Sequence, residues 1–362
     1  MQGLGGGTSG ASGVQFQDAT VFTLNLESNK PTARTNIGNF YKADPDLAVV
    51  LNYITANNSN WSIRQGRGTF PILTPIVFGN ESLWDWGGEG WGTINQVQVN
   101  LGATNDIMNF QSTDYNQGRF KLHDMQFDGN SGSYTSRDIF RLTGGDSWCI
   151  ERCYMHHSQT GDILHILDGG TTPTYVTYHR VFNNLFKYAG ANGIYSTGRD
   201  SWFDLNVIET TGSDGISLQS TAGGIMVSNS HVTYAGHNAY NLGTGAWQLL
   251  NNYADKPAQD GYLVAGVRGQ LTNCRAYDCN YNRGSNAYYA IELAASATGH
   301  VFLNCYVDDD QAAGTKPLYG VFENTGCDYN RFVYGNIHGG FSSGNVLKVG
   351  GNSDFTTGVV TA

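Results

Sequence analysis

Arg141, His165 and Tyr195 occupy the same place in three successive copies of one short phrase: an Asp or Asn, a spacer, then apolar, variable, apolar. The copies begin at Asp106 (DIMNF), Asp138 (DIFRL), Asp162 (DILHI), Asn192 (NGIYS), Asp214 (DGISL), Asn238 (NAYNL) and Asp260 (DGYLV). An eighth, lacking the acid, runs through Ala290-Ile291-Glu292-Leu293. Strand alternation turns the second and fourth residues after the acid inward and the third outward. The outward column is then Asn109, Arg141, His165, Tyr195, Ser217, Asn241, Leu263 and Glu292. If the copies stack as coils about 4.8 Å apart, an Arg, a His and a Tyr converge on one sugar-sized ligand. That set suits proton removal next to a carboxylate. Arg141 would neutralise a uronate carboxylate, His165 would take the C5 proton, and Tyr195 would protonate the leaving oxygen of a β-elimination. The competing reading is that these are solvated residues of a sheet face, where tyrosine is common.

Other residues could complete such a site. Asn109, Ser217, Asn241 and Glu292 supply a polar floor for sugar hydroxyls, and His157 and Tyr178 stand at its margins. Asp168 and Asp200 follow adjacent rungs and, with Glu209 or Glu292, could serve a hydrolase, which needs two carboxyl groups about 5 to 9 Å apart. The repeated acids look at first like a catalytic array. Their exchange with Asn192 and Asn238, and the glycine after several of them, fit turn-forming residues that bond their own backbone. They then act as the corner that aims the residue three places later.

A second phrase, apolar-x-Asn-(Asn/Cys/Ser)-x-apolar, places these elements. It appears as VFNNLF, VSNSHV, LLNNYA, LTNCRA and FLNCYV, with looser copies at IERCYM and FDLNVI. Its fourth position falls at Cys153, Asn184, Asn206, Ser230, Asn252, Cys274 and Cys305, with Asn336 as the expected continuation. The intervals of 22 to 31 residues between these positions, each holding short strand phrases, predict stacked coils rather than a sandwich. In such a stack each Asn amide can hydrogen-bond the ones above and below. Extra length at residues 168–179, 280–289 and 308–318 predicts walls beside the shorter coils.

Composition agrees. Gly 48, Tyr 21 and only 14% charged residues in a chain of 362 describe a turn-rich β protein with a core. Ahead of the repeats, Asp44-Pro45-Asp46 offers an N-cap with proline at the first helical position. Leu47, Val50, Leu51 and Ile54 then share one helical face, which predicts a short capping helix near 45–56. Residues 1–40 read as a Gly/Ser-rich lead-in and extension, and 41–362 as the solenoid, of about ten coils on the period above. The net charge of −10 argues against a nucleic-acid partner, which would need a basic surplus, and no nucleic acid is expected. No apolar run reaches spanning length, so no membrane insertion is expected. The start, MQGLGGGTSGASG, lacks a secretion signal. Either a signal has been trimmed or the protein leaves its cell by another route, such as release with a virus. The six cysteines match no zinc spacing and are expected as buried free thiols.

The Asn/Cys/Ser ladder, the capping helix, GRGTFPILTPI, Gly88-Glu89-Gly90 and Gln126-Phe127-Asp128-Gly129-Asn130 together resemble the pectate-lyase-like right-handed parallel β-helix superfamily, over residues 40 to 350. The resemblance implies an all-β, single-stranded right-handed parallel β-helix. It further implies a carbohydrate-active enzyme that cleaves an extracellular or cell-surface polysaccharide, as a lyase or glycoside hydrolase, in the manner of a viral tailspike. The alternative is a non-catalytic glycan-binding adhesin, or a structural fibre or virion protein. A homotrimer or a larger particle would be the assembly, and the cell exterior, cell surface or virion the location. The calcium acids of pectate lyases do not map onto this chain, and no paired-Asp and Gly-His-Gly signature of polygalacturonases is present. Asp308-Asp309-Asp310 could bind Ca2+, although an exposed acidic loop is the commoner explanation, and His156-His157 lacks an identifiable third ligand. No cofactor or metal is therefore assigned.

Overall fold

A computed structural model of the chain describes residues 20–35, 39–58, 60–79, 83–112, 119–168, 178–220, 223–243, 245–281, 287–312, 315–349, 351–355 and 360–361. Short strands step in order through three parallel sheets: Cys149–Glu151 lies in the first, Tyr154–His156 in the second, Leu164–Leu167 in the third, and Arg180–Phe182 returns to the first. Each strand pairs with its counterpart one coil away, so the chain winds as a right-handed parallel β-helix. Among the described residues the third sheet has eleven strands, one more than the ten coils the period suggested.

The N-terminal end is closed by elements of opposite character. Thr20–Glu27, Lys30–Thr35 and Phe40–Ala43 form an antiparallel meander, and Thr20–Glu27 pairs in parallel with Asn60–Gln65 of the first coil. Residues 20–35, which the sequence assigned to the extension, thus belong to the sheet; the lead-in before residue 20 lies outside the described residues. The helix spans Leu47–Asn57 and buries Leu47, Ala48, Val50, Leu51 and Ile54 over the open end of the core. Its N-cap is Asp46, whose carboxylate accepts the Ala48 N–H at 3.0 Å, so Pro45 precedes the cap rather than opening the helix. The same carboxylate accepts from Leu73 N–H and Thr74 Oγ1, tying the cap to the first coil. No helix among the described residues is long and apolar enough to cross a membrane.

Inside, like side chains stack coil on coil. Trp61, Trp84, Phe120 and Trp148 follow one another with centroids 5.1, 4.2 and 5.6 Å apart, and His179 continues the column at 3.8 Å. Tyr240 and Tyr262 lie parallel at 4.8 Å, and their hydroxyls donate to Ser230 O and Asn252 O, so no buried O–H is wasted. The polar ladder is real but differently wired than a simple amide stack. The backbone N–H groups of Cys153, Asn184, Asn206 and Ser230 each donate to the side-chain oxygen one coil on, at 2.9, 3.2, 3.2 and 3.0 Å. The Nδ2 groups of Asn184, Asn206 and Asn252 turn back to the carbonyls of Ile150, Val181 and Val227. Asn336 does not extend this ladder: it pairs with Tyr306, which puts Gly335 opposite Cys305. A Cβ at Gly335 would meet Phe332 at 2.0 Å, so the rung has no room for a side chain. The six cysteines are free thiols, and all but Cys149 are buried.

One core residue makes the fold acid-sensitive. His300 is wholly buried, stacks on Trp247, accepts the Gly269 N–H at Nδ1 (2.9 Å) and donates from Nε2 to Gly266 O (3.0 Å). Both ring nitrogens are occupied in the neutral form, and burial holds the pKa down at about 4. An unfolded histidine takes its proton near pH 6.5. The folded value lies below the unfolded one, so this contribution is complete above about pH 6.5 and is lost as pH falls toward 4, by up to about 3 kcal/mol. Urea unfolding at pH 7 and pH 4.5 should show the loss, and His300→Asn should shrink the difference between the two.

Candidate functional site

The outward column of the third sheet stands in the register the repeat predicted. Val77, Asn109, Arg141, His165, Tyr195, Ser217, Asn241, Leu263, Glu292 and Phe322 pair one with the next. The intervening Phe140, Leu142, Leu164, Ile166, Ile194 and Ser196 are buried, which fixes the face.

The acids behind the column do more than turn the chain. One oxygen of each serves the next coil: Asp138 Oδ1 accepts the Asp162 N–H at 2.8 Å, Asp162 Oδ1 the Asn192 N–H at 2.8 Å, Asn192 Oδ1 the Asp214 N–H at 3.0 Å, and Asp214 Oδ1 the Asn238 N–H at 3.0 Å. They therefore bond the neighbouring coil's backbone, where the sequence suggested their own. The second oxygen faces outward. Asp162 Oδ2 lies 2.6 Å from His165 Nδ1, and Asp138 Oδ2 lies 3.0 Å from an Arg141 terminal nitrogen and 3.4 Å from His165 Nδ1. Arg137 grips both oxygens of Asp106 at 2.7 Å. Asp106, Asp138 and Asp162 run consecutively with no amide between them, and this is where Arg137, Arg141 and His165 gather. Further on, Asn192 and Asn238 separate the acids and each donates Nδ2 to the acid before it.

These contacts define what the trio can do. Asp162 is 6% exposed and Asp138 2%, so neither carboxylate is open to attack a ligand, whereas Arg141 and His165 are 21% and 18% exposed. Burial is the main cause that raises the Asp138 pKa, with His165 opposing it. A carboxylate at Nδ1 holds the His165 tautomer that carries its proton there, leaving Nε2 as the acceptor toward solvent. Tyr195 packs its ring on His165 with centroids 4.8 Å apart. A base, a cation and a phenol thus share one patch of the face.

The other expected residues fare differently. Asn109 makes only a long 3.5 Å contact to Asp106, and Asn241 donates to Asp214 Oδ2 at 2.8 Å. Ser217 is in register but 3% exposed, and its hydroxyl accepts from Gln219 at 3.1 Å, so it is covered rather than part of an open floor. Glu292 shares a hydrogen bond with Asp260, and burial raises the pKa of both. Five rungs separate it from His165, about 24 Å at the coil spacing. Asp168 does not join the trio: Arg199 holds its Oδ2 at 2.9 Å. Glu209 lies in the second sheet, paired with Lys187. Tyr178 is exposed and stacks loosely on Trp202 of the first sheet at 6.5 Å. Of the expected walls at 168–179, 280–289 and 308–318, residues 169–177, 282–286 and 313–314 lie outside the described residues.

His157, expected at the margin of the site, is engaged elsewhere. With His156 it meets Asp128 in the second sheet, where Asp128 and His156 are paired one coil apart. Asp128, the partner that sequence spacing did not reveal, comes from the preceding coil. The available signal was the match of Gln126-Phe127-Asp128 to Tyr154-Met155-His156, strand for strand.

No protein-family model matches the chain, and no curated protein matches it by sequence. Solved structures match in fold. The A-module of a mannuronan C-5 epimerase from Azotobacter vinelandii superposes with a TM-score of 0.60 at 14% identity, over 87% of this chain and 94% of its own. The pre-mature form of gene product 12 of bacteriophage phi29 gives 0.67 at 11% identity, over 85% of this chain and 49% of its own. A tailspike from Acinetobacter baumannii bacteriophage Fri1, a capsular polysaccharide depolymerase, gives 0.58 at 11% identity, over 84% of this chain and 59% of its own. What this chain shares with them is the parallel β-helix.

Proposed function

We propose that the protein acts on a uronate-containing polysaccharide and that its reaction begins with removal of the C5 proton by His165. The observation that carries this reading is the Asp162–His165 contact at 2.6 Å, set between Arg141 and Tyr195 on one outward-facing column. Arg141 binds the uronate carboxylate and draws off the charge that develops when the C5–H bond breaks. His165 Nε2 takes the proton, and Asp162 stabilises the imidazolium through Nδ1. In β-elimination the electron pair forms the C4–C5 double bond, the C4–O4 bond breaks, and the Tyr195 hydroxyl gives its proton to the departing oxygen. Return of a proton to C5 from the opposite side would instead invert that carbon. The names of the matched structures, an epimerase of mannuronan and a depolymerase of capsular polysaccharide, support a polysaccharide ligand. The phage proteins among them favour a place on a virion or outside the cell, and a homotrimer or larger particle as the assembly.

Hydrolysis has less support, because the carboxylates nearest the trio are buried and committed to the coil above. A panel of acidic and neutral polysaccharides tests the assignment. Unsaturated uronate ends, or C5 inversion seen by proton NMR, are the expected outcomes. Reducing ends without unsaturation would move the chemistry to a hydrolase, and binding without any covalent change would leave the protein a glycan-binding or fibre component.

A further inference from the structure

We infer that Asp128, His156 and His157 form a binding site for one divalent transition-metal ion of the zinc class, on a different sheet from the His165 column. Three ligand atoms converge there. His156 Nδ1 and His157 Nδ1 are 2.6 Å apart, and Asp128 Oδ1 is 3.3 Å from each. Donors held about 2.0–2.1 Å from a tetrahedral ion stand roughly 3.3 Å from one another. The carboxylate already has that spacing to both rings, which is long for a hydrogen bond but right for two ligands of one ion. The imidazoles would part by about 0.7 Å to reach it, and His157, 38% exposed on its corner, can make that shift within its own ring plane. Without an ion, a single proton must bridge the two nitrogens, and the carboxylate is left without a short partner in the cluster.

The surroundings hold the donors as metal ligands are held. Gln126 Nε2 lies 2.7 Å from His156 Nε2; a half-turn of that amide would bring its oxygen to the ring, where it accepts Nε2–H and leaves the Nδ1 lone pair facing the centre. Asp128 Oδ2 accepts from Gln96 at 2.8 Å, and Oδ1 accepts the Asn130 N–H at 2.8 Å. Tyr154 stacks on His156 at 4.2 Å and Tyr188 on His157 at 4.8 Å, which fixes both ring planes. Gly129 allows the approach: a Cβ there would lie 2.2 Å from the His157 carbonyl oxygen. The left-handed corner at His157 recurs at Tyr188, Thr210 and Tyr234, so it is part of the repeating coil architecture. Two nitrogens with one oxygen select a first-row ion such as Zn2+, Ni2+ or Co2+ over Ca2+ or Mg2+, which take oxygen ligands. Because the donors come from two coils, the ion would also clip one coil to the next.

The test uses the full chain, freed of metal with a chelator. Calorimetric titration with ZnCl2 should show one equivalent bound, and CoCl2 should give the visible absorption of a four-coordinate ion. Asp128→Asn and His157→Gln should each weaken Zn2+ at least about 100-fold, and Gln126→Leu about 10-fold. His165→Gln should leave it unchanged, and CaCl2 should not compete. The metal-free melting temperatures of the Asp128→Asn and His157→Gln variants should stay near that of the parent, which separates lost ligation from lost folding. Absence of binding, binding indifferent to both ligand substitutions, or binding lost in His165→Gln would overturn the site.

Discussion

His165→Gln should lower the rate of unsaturated or C5-inverted product formation by about two to four orders of magnitude, the range for loss of a general base, with the melting temperature nearly unchanged. Glutamine is close to histidine in reach and can still donate to Asp162 Oδ2, so the corner and the face persist. What it lacks is a basic nitrogen toward solvent. Asp162→Asn should also lower the rate but for another reason. Its remaining oxygen still accepts the Asn192 N–H, while the new amide group opposite His165 Nδ1 favours the wrong tautomer and places the proton on Nε2. Assaying both variants alongside circular dichroism and thermal melts checks the pair. Full activity in His165→Gln would remove this histidine from the chemistry.

The largest loss of stability is expected on the opposite side of the coil. Asn206 is completely buried; its Oδ1 accepts the Asn184 N–H at 3.2 Å and the Asn184 Nδ2 at 3.0 Å, and its own Nδ2 donates to Val181 O at 2.7 Å. Asn206→Leu keeps the volume but strands these groups where no water reaches, each at about 1–3 kcal/mol. A total of about 3–5 kcal/mol is expected, read as a lowered urea midpoint. Since each coil contacts only its neighbours, protease cutting should begin near the altered rung. Asn251 is the control. It stands in an exposed stack, donating to Asn229 Oδ1 at 3.1 Å and accepting from Asn273 at 3.2 Å, with φ +56. Asn251→Gly suits that backbone and should cost under about 1 kcal/mol, because water replaces the lost bonds.

That contrast shows what the sequence could and could not convey. The Asn-(Asn/Cys/Ser) dipeptide was readable as a ladder because it recurs, yet its two residues do separate work. The second turns inward and serves the core, while the first takes the left-handed corner and stacks in water at Asn229, Asn251, Asn273 and Asn304. The outward column was legible rung by rung, because strand alternation has only two phases and the buried phase is unmistakably apolar. The partners of that column were harder to see. Asp162 reaches His165 only because the corner folds back over three residues, a geometry periodicity does not encode. The Asp128–His156–His157 cluster was invisible for a related reason: its members lie in different coils, and His157 occupies a corner outside both repeated phrases. The misplaced rung at Asn336 is a one-residue shortening of a coil, detectable only through pairing.

The divided labour of the corner acids has a consequence for how such a chain can change over generations. An Asp-to-Asn exchange keeps the oxygen that the next coil needs and alters only the charge presented behind the neighbouring rung, as the chain itself does at Asn192 and Asn238. Charge along the face can therefore be rewritten one position at a time without passing through an unfolded intermediate. Where acids follow one another in this way, cations beside them offset the charge. In this chain the run of Asp106, Asp138 and Asp162 is met by Arg137, Arg141 and His165 on the surface in front of it.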